Sequence, residues 1–287
     1  MKTVGFIGLG MMGGPMTACL AKAGFDLYLL DADQARVTAL AALYGAQKLT
    51  KDTAARLDVL ITMLPHSDIV EAVLLKEGWA AVLKPAAIVI DMSSSEPLRS
   101  RALGTVLEEM GLGYLDAPVS GGVKRAQDGK LAILVGGKAE IMAACQPVLA
   151  AMGQSILHIG AVGCGHAAKA LNNFVSASGL MATVEALHVA QRFGIKPEVM
   201  TDVLNASTGR SNTSENKVKQ FMLNGLYASA FSLALMDKDL GIADELAKSL
   251  GYPMRFGHHS IEVWHEMAGK APPGADHTQA YQLLDEP

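Results

Sequence analysis

Lys169, Asn172, Asn173 and Ser176 fall at i, i+3, i+4 and i+7 of a stretch that is otherwise mostly Ala, Leu, Val, Met and Gly. At helical spacing that is one face. Polar groups on a helix too apolar to be solvated are costly unless they line a cleft or pair with a ligand, the alternative being a ridge that faces water. Burial also disfavours an ammonium, so a lysine in such a stripe suits general acid–base work near neutrality.

Two further groups of residues carry chemistry. Gly8-Leu9-Gly10-Met11-Met12-Gly13 follows an apolar run and opens a helical stretch, the setting a dinucleotide fingerprint requires. Gly8 permits the turn, Gly10 lets a pyrophosphate approach the backbone, Gly13 lets helix and strand pack, and the helix N-terminus supplies amide donors. The next apolar run ends in Asp31, whose carboxylate accepts ribose hydroxyls and repels a 2′-phosphate; NAD is therefore expected over NADP. Met63-Leu64-Pro65 and Ser94 stand after later runs, at the sheet edge where ligands bind in open α/β folds. Ser94 either meets the nicotinamide or its ribose, or belongs to the cap of the helix at Pro97. Asp116-Ala117-Pro118-Val119-Ser120-Gly121-Gly122 reaches the same edge, where adjacent glycines and the Ser120 hydroxyl can donate to a carboxylate; an ordinary Gly-Gly turn is the alternative.

The elements that must position these groups follow from periodicity. Short apolar runs at Val4–Ile7, Leu27–Leu30, Val59–Met63, Ala87–Ile90, Tyr114–Ala117, Leu131–Val135 and Ile156–Ile159 alternate with helical stretches. That pattern predicts a doubly wound α/β, Rossmann-type parallel sheet over residues 1–162. Beyond Gly165 the strand signal disappears. Residues 163–287 read as an all-helical domain entered through one long helix, Gly165 to Phe193, followed by helices at Pro197–Leu204, Glu215–Leu223, Phe231–Leu250 and Pro253–Ala268.

Composition narrows the function classes. Of 287 residues 50% are hydrophobic and 18% charged, which excludes disorder and favours subunit contacts. A net charge of −4 without a basic tract argues against nucleic acid. No run is long and apolar enough for a membrane span, and the start of the chain lacks the apolar segment of a secretory signal. Three cysteines without CxxC spacing fit a reducing cytoplasm.

Together, Gly5 to Gly13, Asp116 to Gly122, Gly163-Cys164-Gly165-His166-Ala167-Ala168-Lys169-Ala170-Leu171-Asn172-Asn173 and Leu235-Met236-Asp237-Lys238-Asp239-Leu240 resemble, in order and almost end to end, the β-hydroxyacid dehydrogenase family. The resemblance implies a catalytic Lys169, with Asn173 positioning the substrate and Ser120, Gly121 and Gly122 holding its carboxylate. It implies Lys238 on the cofactor side, beside Gly8, Gly10, Met11, Met12, Gly13, Asp31, Met63, Leu64, Pro65 and Ser94. The expected reaction is reversible NAD-dependent oxidation of a small β-hydroxy acid, 3-hydroxyisobutyrate-like, to its semialdehyde, by a homodimer or homotetramer.

Two departures blur the substrate. Ser94 stands where the family often has threonine, and Val123-Lys124-Arg125 resembles the glyoxylate and succinic semialdehyde reductases, so reduction of glyoxylate, tartronate semialdehyde or succinic semialdehyde is the alternative. Lys124, Arg125 and Arg210 either touch substrate or sit in solvent. An imine reductase or a non-catalytic NAD-binding protein is a more remote reading; Lys169 argues against the first, and the second has no need of a polar stripe on the helix. His258, Glu262, His265 and Glu266 have helical spacing for a metal, which a lysine-based dehydrogenase does not need, so no metal is expected.

Overall fold

Val4 and Phe6 pack on one side of the first strand and Ile7 on the other; Val59 and Ile61 oppose Leu60, and Ile88 and Ile90 oppose Val89. Strands buried on both faces need helices on both faces, which is what alternating strand and helix supplies. The computed structural model describes residues 2–285. Its first compact unit, Met1–Lys169, contains β1 (Thr3–Ile7), α1 (Gly13–Lys22), β2 (Asp26–Leu30), α2 (Gln34–Tyr44), β3 (Gln47–Lys48), α3 (Lys51–Ala54), β4 (Val59–Thr62) and α4 (Ser67–Glu71). These are followed by β5 (Ile88–Asp91), α5 (Pro97–Glu109), β6 (Gly113–Asp116), β7 (Val119–Ser120), α6 (Gly122–Gln127), β8 (Leu131–Gly137), α7 (Ala139–Met152) and β9 (Gly153–Gly160).

The sheet order is β3-β2-β1-β4-β5-β6-β8-β7, with β9 also on β8. The strands from β3 to β6 are parallel, as expected, and their carboxyl ends share one edge. Beyond β6 the sheet departs from the all-parallel expectation, because β8 runs antiparallel to β6 and β7. A parallel return needs a crossover of a dozen or more residues over one face. Here the chain between β6 and β8 is taken up by pairing along β8 and by the short α6, so it comes back the other way. Two-residue strands such as β3 and β7 are too short for alternation to reveal.

The second unit, Ala170–Pro287, continues α8 (Cys164–Phe193) and adds α9 (Pro197–Ala206), α10 (Asn212–Asn216), α11 (Leu233–Ser249), α12 (Arg255–Lys270) and α13 (Ala280–Leu283). Leu180, Val184, Leu187, Leu240 and Trp264 lie at its centre. By packing, the division falls about two helical turns beyond Gly163, because the head of α8 is tied to the β6 end by the bonds described below. No helix among the described residues is long and apolar enough to cross a membrane.

A buried polar strap closes the second unit. Asp276 bridges to Ser232 and accepts from Ser229 Oγ at 2.8 Å and Thr278 Oγ1 at 2.6 Å, while His277 Nδ1 lies 3.0 Å from the Phe231 carbonyl. Burial, with Lys217 adding to it, pushes the His277 imidazole down to about 4. The unfolded chain therefore binds a proton below about pH 6.5 that the folded chain refuses until about pH 4. Stability from this group is complete above pH 6.5 and falls by about 1.4 kcal/mol per pH unit through that window. Urea midpoints at pH 7.5 and 5.0 are expected to separate more for the native chain than for His277→Asn; equal separations would refute the assignment.

Candidate active site

The glycine loop is shaped by two close approaches. Gly8 has φ +99°, and a Cβ there would strike the Met63 carbonyl; a Cβ on Gly13 would strike the Gly8 carbonyl. Neither position accepts a side chain without moving backbone. A Cβ on Gly10 would meet nothing within 4 Å. The open approach at Gly10 leads to the start of α1, whose N-cap Met12 makes no side-chain cap and whose first turn has no acidic residue. Unsatisfied amides and a positive dipole end suit a pyrophosphate, so these residues fit an NAD cofactor. Asp31 Oδ2 accepts the Leu9 amide at 2.6 Å and Oδ1 the Asp33 amide at 2.8 Å. The carboxylate thus shapes the loop and keeps lone pairs for ribose hydroxyls.

Along the same sheet edge, Leu64 N–H donates to Ser93 Oγ at 2.9 Å. Ser94 is not the cap of α5; that place belongs to Glu96, which makes no side-chain cap. Beneath this edge lies a polar layer that spacing did not reveal. Asp91, fully buried, accepts from Thr62 Oγ1 at 2.9 Å, Ser93 N at 3.1 Å and Ser95 Oγ at 2.8 Å. Its register neighbour Asp116 accepts the amides of Gly163 at 2.7 Å and His166 at 2.9 Å. A strand-end carboxylate therefore satisfies the free amides at the head of α8. Burial pushes the Asp116 carboxyl up, against the pull of His166 and those amides.

Ser120 ends β7, and Gly121 (φ +130°) and Gly122 (φ +69°) follow in left-handed backbone that a side chain would strain. Lys169, one turn into α8, donates from Nζ to the Val119 carbonyl at 2.8 Å. The structure thus brings the lysine amine to the Ser120–Gly122 loop, two features separated by about fifty residues of chain. The stripe itself is half-buried at Lys169, Asn173 and Ser176 and exposed at Asn172.

In the second unit, Asn173 donates from Nδ2 to Asp239 Oδ2 at 2.7 Å, and Lys238 Nζ lies 3.2 Å from Asp239 Oδ1. Asp239, 2% exposed, orients both residues, a role that its place between Lys238 and Leu240 in the chain does not signal. Arg210 is exposed and lies 3.5 Å from Glu215. His258 pairs with Glu262 at 3.2 Å and His265 with Asp237 at 3.3 Å, and among the described residues no three His, Cys, Asp or Glu side chains converge as metal ligands.

Comparison with known proteins bears on the fold and the family. Residues 3–160 match the model of the NAD binding domain of 6-phosphogluconate dehydrogenase, and residues 163–284 that of the NAD-binding of NADP-dependent 3-hydroxyisobutyrate dehydrogenase. The chain is 39% identical to 2-(hydroxymethyl)glutarate dehydrogenase of Eubacterium barkeri, over 88% of this chain and 84% of that one. It is 37% identical to the human mitochondrial 3-hydroxyisobutyrate dehydrogenase, over 99% and 87%. A structure of Mycobacterium tuberculosis 3-hydroxyisobutyrate dehydrogenase with L-serine superposes with a TM-score of 0.93 at 32% identity, each chain covered completely. Glycine loop, lysine helix and end-to-end likeness converge: the chain belongs to the β-hydroxyacid dehydrogenase family and is an NAD-dependent enzyme of it.

Proposed function

We propose that the substrate is a small β-hydroxy carboxylate, 3-hydroxyisobutyrate-like, oxidised reversibly to its semialdehyde with Lys169 as general acid and base. The observation that carries this reading is the Lys169–Val119 hydrogen bond, which holds the amine beside the loop assigned to the carboxylate. Ser120 Oγ and the amides of Gly121 and Gly122 bind the carboxylate. Asn173, one helical turn from Lys169 and held by Asp239, orients the hydroxyl. In oxidation Lys169 Nζ takes the hydroxyl proton, and in reduction it returns it. Bound NAD supplies the hydride acceptor. Gly8, Gly10, Met11, Met12, Gly13, Asp31, Met63, Leu64, Pro65, Ser94 and Lys238 are assigned to its binding.

Arg125 favours a second reading. Its side chain lies over Gly121, with Cδ 2.6 Å from where a Cβ would stand, so a guanidinium borders the carboxylate loop. A reductase of tartronate semialdehyde, succinic semialdehyde or glyoxylate, each with one carboxylate for that added positive charge to attract, is the second reading.

One experiment separates the readings: a panel of hydroxy acids and semialdehydes followed by NADH absorbance, with NADP in parallel. Turnover of 3-hydroxyisobutyrate supports the first reading, and preference for glyoxylate, tartronate semialdehyde or succinic semialdehyde supports the second. Two like charges at about 4 Å cost about 1 to 4 kcal/mol between bulk water and a protein surface. NADP is accordingly expected to be worse by roughly tenfold or more in kcat/KM. Equal use of both cofactors would remove Asp31 as a selector.

The proposed assembly is a homodimer or homotetramer. Val175, Val189 and Phe193 leave α8 at 67%, 68% and 84% exposure, an apolar stripe suited to a second copy. The three cysteines are free thiols, in keeping with the cytoplasm.

A further inference from the structure

His166 is 1% exposed. Its Nε2 lies 3.1 Å from the Ser93 carbonyl, which can only accept, so Nε2 carries a hydrogen. Its Nδ1 lies 2.7 Å from Ser100 Oγ on α5. Its backbone amide goes to Asp116 at the end of β6. The buried carboxylates of Asp91 and Asp116 flank the ring at 3.9 and 3.8 Å. One residue therefore joins the head of α8 to the end of β5, to α5 and to the end of β6.

Ser93 makes that junction consequential. Its carbonyl receives His166, its amide goes to Asp91 and its hydroxyl accepts the Leu64 amide. Leu64 and the neighbouring Ser94 are assigned to NAD, whereas Lys169 follows His166 by one turn of a continuous helix. Between the strand ends assigned to the cofactor and the helix bearing the lysine, the His166–Ser93 bond is a direct link. Hydride and proton leave the same alcohol, so lysine and cofactor must hold their places together, and a misplacement of about 1 Å can cost about a hundredfold in rate.

We propose that His166 is a positioning residue for the dehydrogenase reaction, locking the head of the Lys169 helix to the Ser93–Ser94 strand end so that lysine and cofactor stay in register. The inference rests on the assignment of Lys169 as acid and base. It requires that loss of the imidazole lower turnover without weakening NAD, since no cofactor-assigned atom is removed. Gln is the conservative replacement, because its amide can donate to the Ser93 carbonyl while its oxygen accepts from Ser100.

The test uses the whole enzyme with its best panel substrate and compares His166→Ala, His166→Gln, Ser100→Ala and Lys169→Ala. Active-site concentration is taken from a single-turnover NADH burst, and NAD affinity from fluorescence titration. His166→Ala is expected to lower kcat per active site by about 10- to 100-fold, with KM and the NAD Kd within about threefold of the native values. His166→Gln should recover most of that loss, and Ser100→Ala should lower kcat in the same direction by a smaller factor. Should His166→Ala fail to fold, the Gln and Ser100 variants carry the test. If kcat per active site stays within twofold in His166→Ala, or if Ala and Gln are equally impaired, the inference falls. So it does if Ser100→Ala is unchanged where the Ala variant cannot be made. The lysine assignment fails separately, if Lys169→Ala retains turnover.

Discussion

Lys169→Ala is expected to lower kcat by about 10²- to 10⁴-fold, the usual contribution of a positioned proton-transfer group, or about 3 to 5 kcal/mol of transition-state stabilisation. The NAD Kd should stay within about threefold. The split follows from where the side chain lies. Its Nζ is bonded to the Val119 carbonyl at the loop assigned to substrate, and no atom of it belongs to the glycine loop or to Asp31. Truncation at Cβ therefore removes the proton carrier and leaves the nucleotide cradle. Lys169→Arg sharpens the test, because a guanidinium can take the Val119 bond but stays protonated. Both variants should lose about a hundredfold or more of kcat in oxidation, as read by NADH absorbance. If either keeps kcat within tenfold of native, another group handles the proton.

The second large effect is a contrast between two glycines three residues apart. In Gly13→Ala the new methyl collides with the Gly8 carbonyl, so α1 must pull away from β1 or the loop must reshape. Either route disturbs buried backbone with no room to yield, and a cost of about 1 to 3 kcal/mol is expected, as for overpacked sites. Gly10→Ala meets nothing within 4 Å, and the melting temperature should be close to native. Yet the Gly10 methyl stands where the pyrophosphate must approach, so NAD affinity should fall by about tenfold or more, comparable to losing one good contact. Thermal melts with and without NAD separate the two. Gly13→Ala should melt lower in both states, whereas Gly10→Ala should lose only the shift produced by cofactor. Native NAD affinity in Gly10→Ala would refute the cradle.

Much of this architecture is readable without coordinates because its causes are local. The glycine spacing answers to a turn and to the helix that follows within a few residues. The strand runs answer to burial on both faces, and the polar stripe answers to the pitch of one helix. Other parts depend on what distant segments supply. Asp116 reads as part of a substrate loop, yet its carboxylate turns inward to the amides of Gly163 and His166. Asp91 follows an apolar run with nothing nearby in the sequence to mark its partners, and it gathers Thr62, Ser93 and Ser95. The antiparallel β8 could not be anticipated either, since its direction depends on how much chain the edge pairing of β7 uses.

Taken by itself, the chain's order of residues determined the family and its fold, a Rossmann-type sheet followed by helices, and it pointed to the glycine loop and the lysine to which NAD binding and proton transfer are here assigned. The tertiary structure decided which partners those groups have. It set the Lys169 amine on the Val119 carbonyl, bound Asn173 and Lys238 to one carboxylate at Asp239, and placed His166 between Ser93 and Ser100. The physical reason is that a buried polar group must be paired. Its need for a partner is written in its residue type, but the topology chooses which partner it meets.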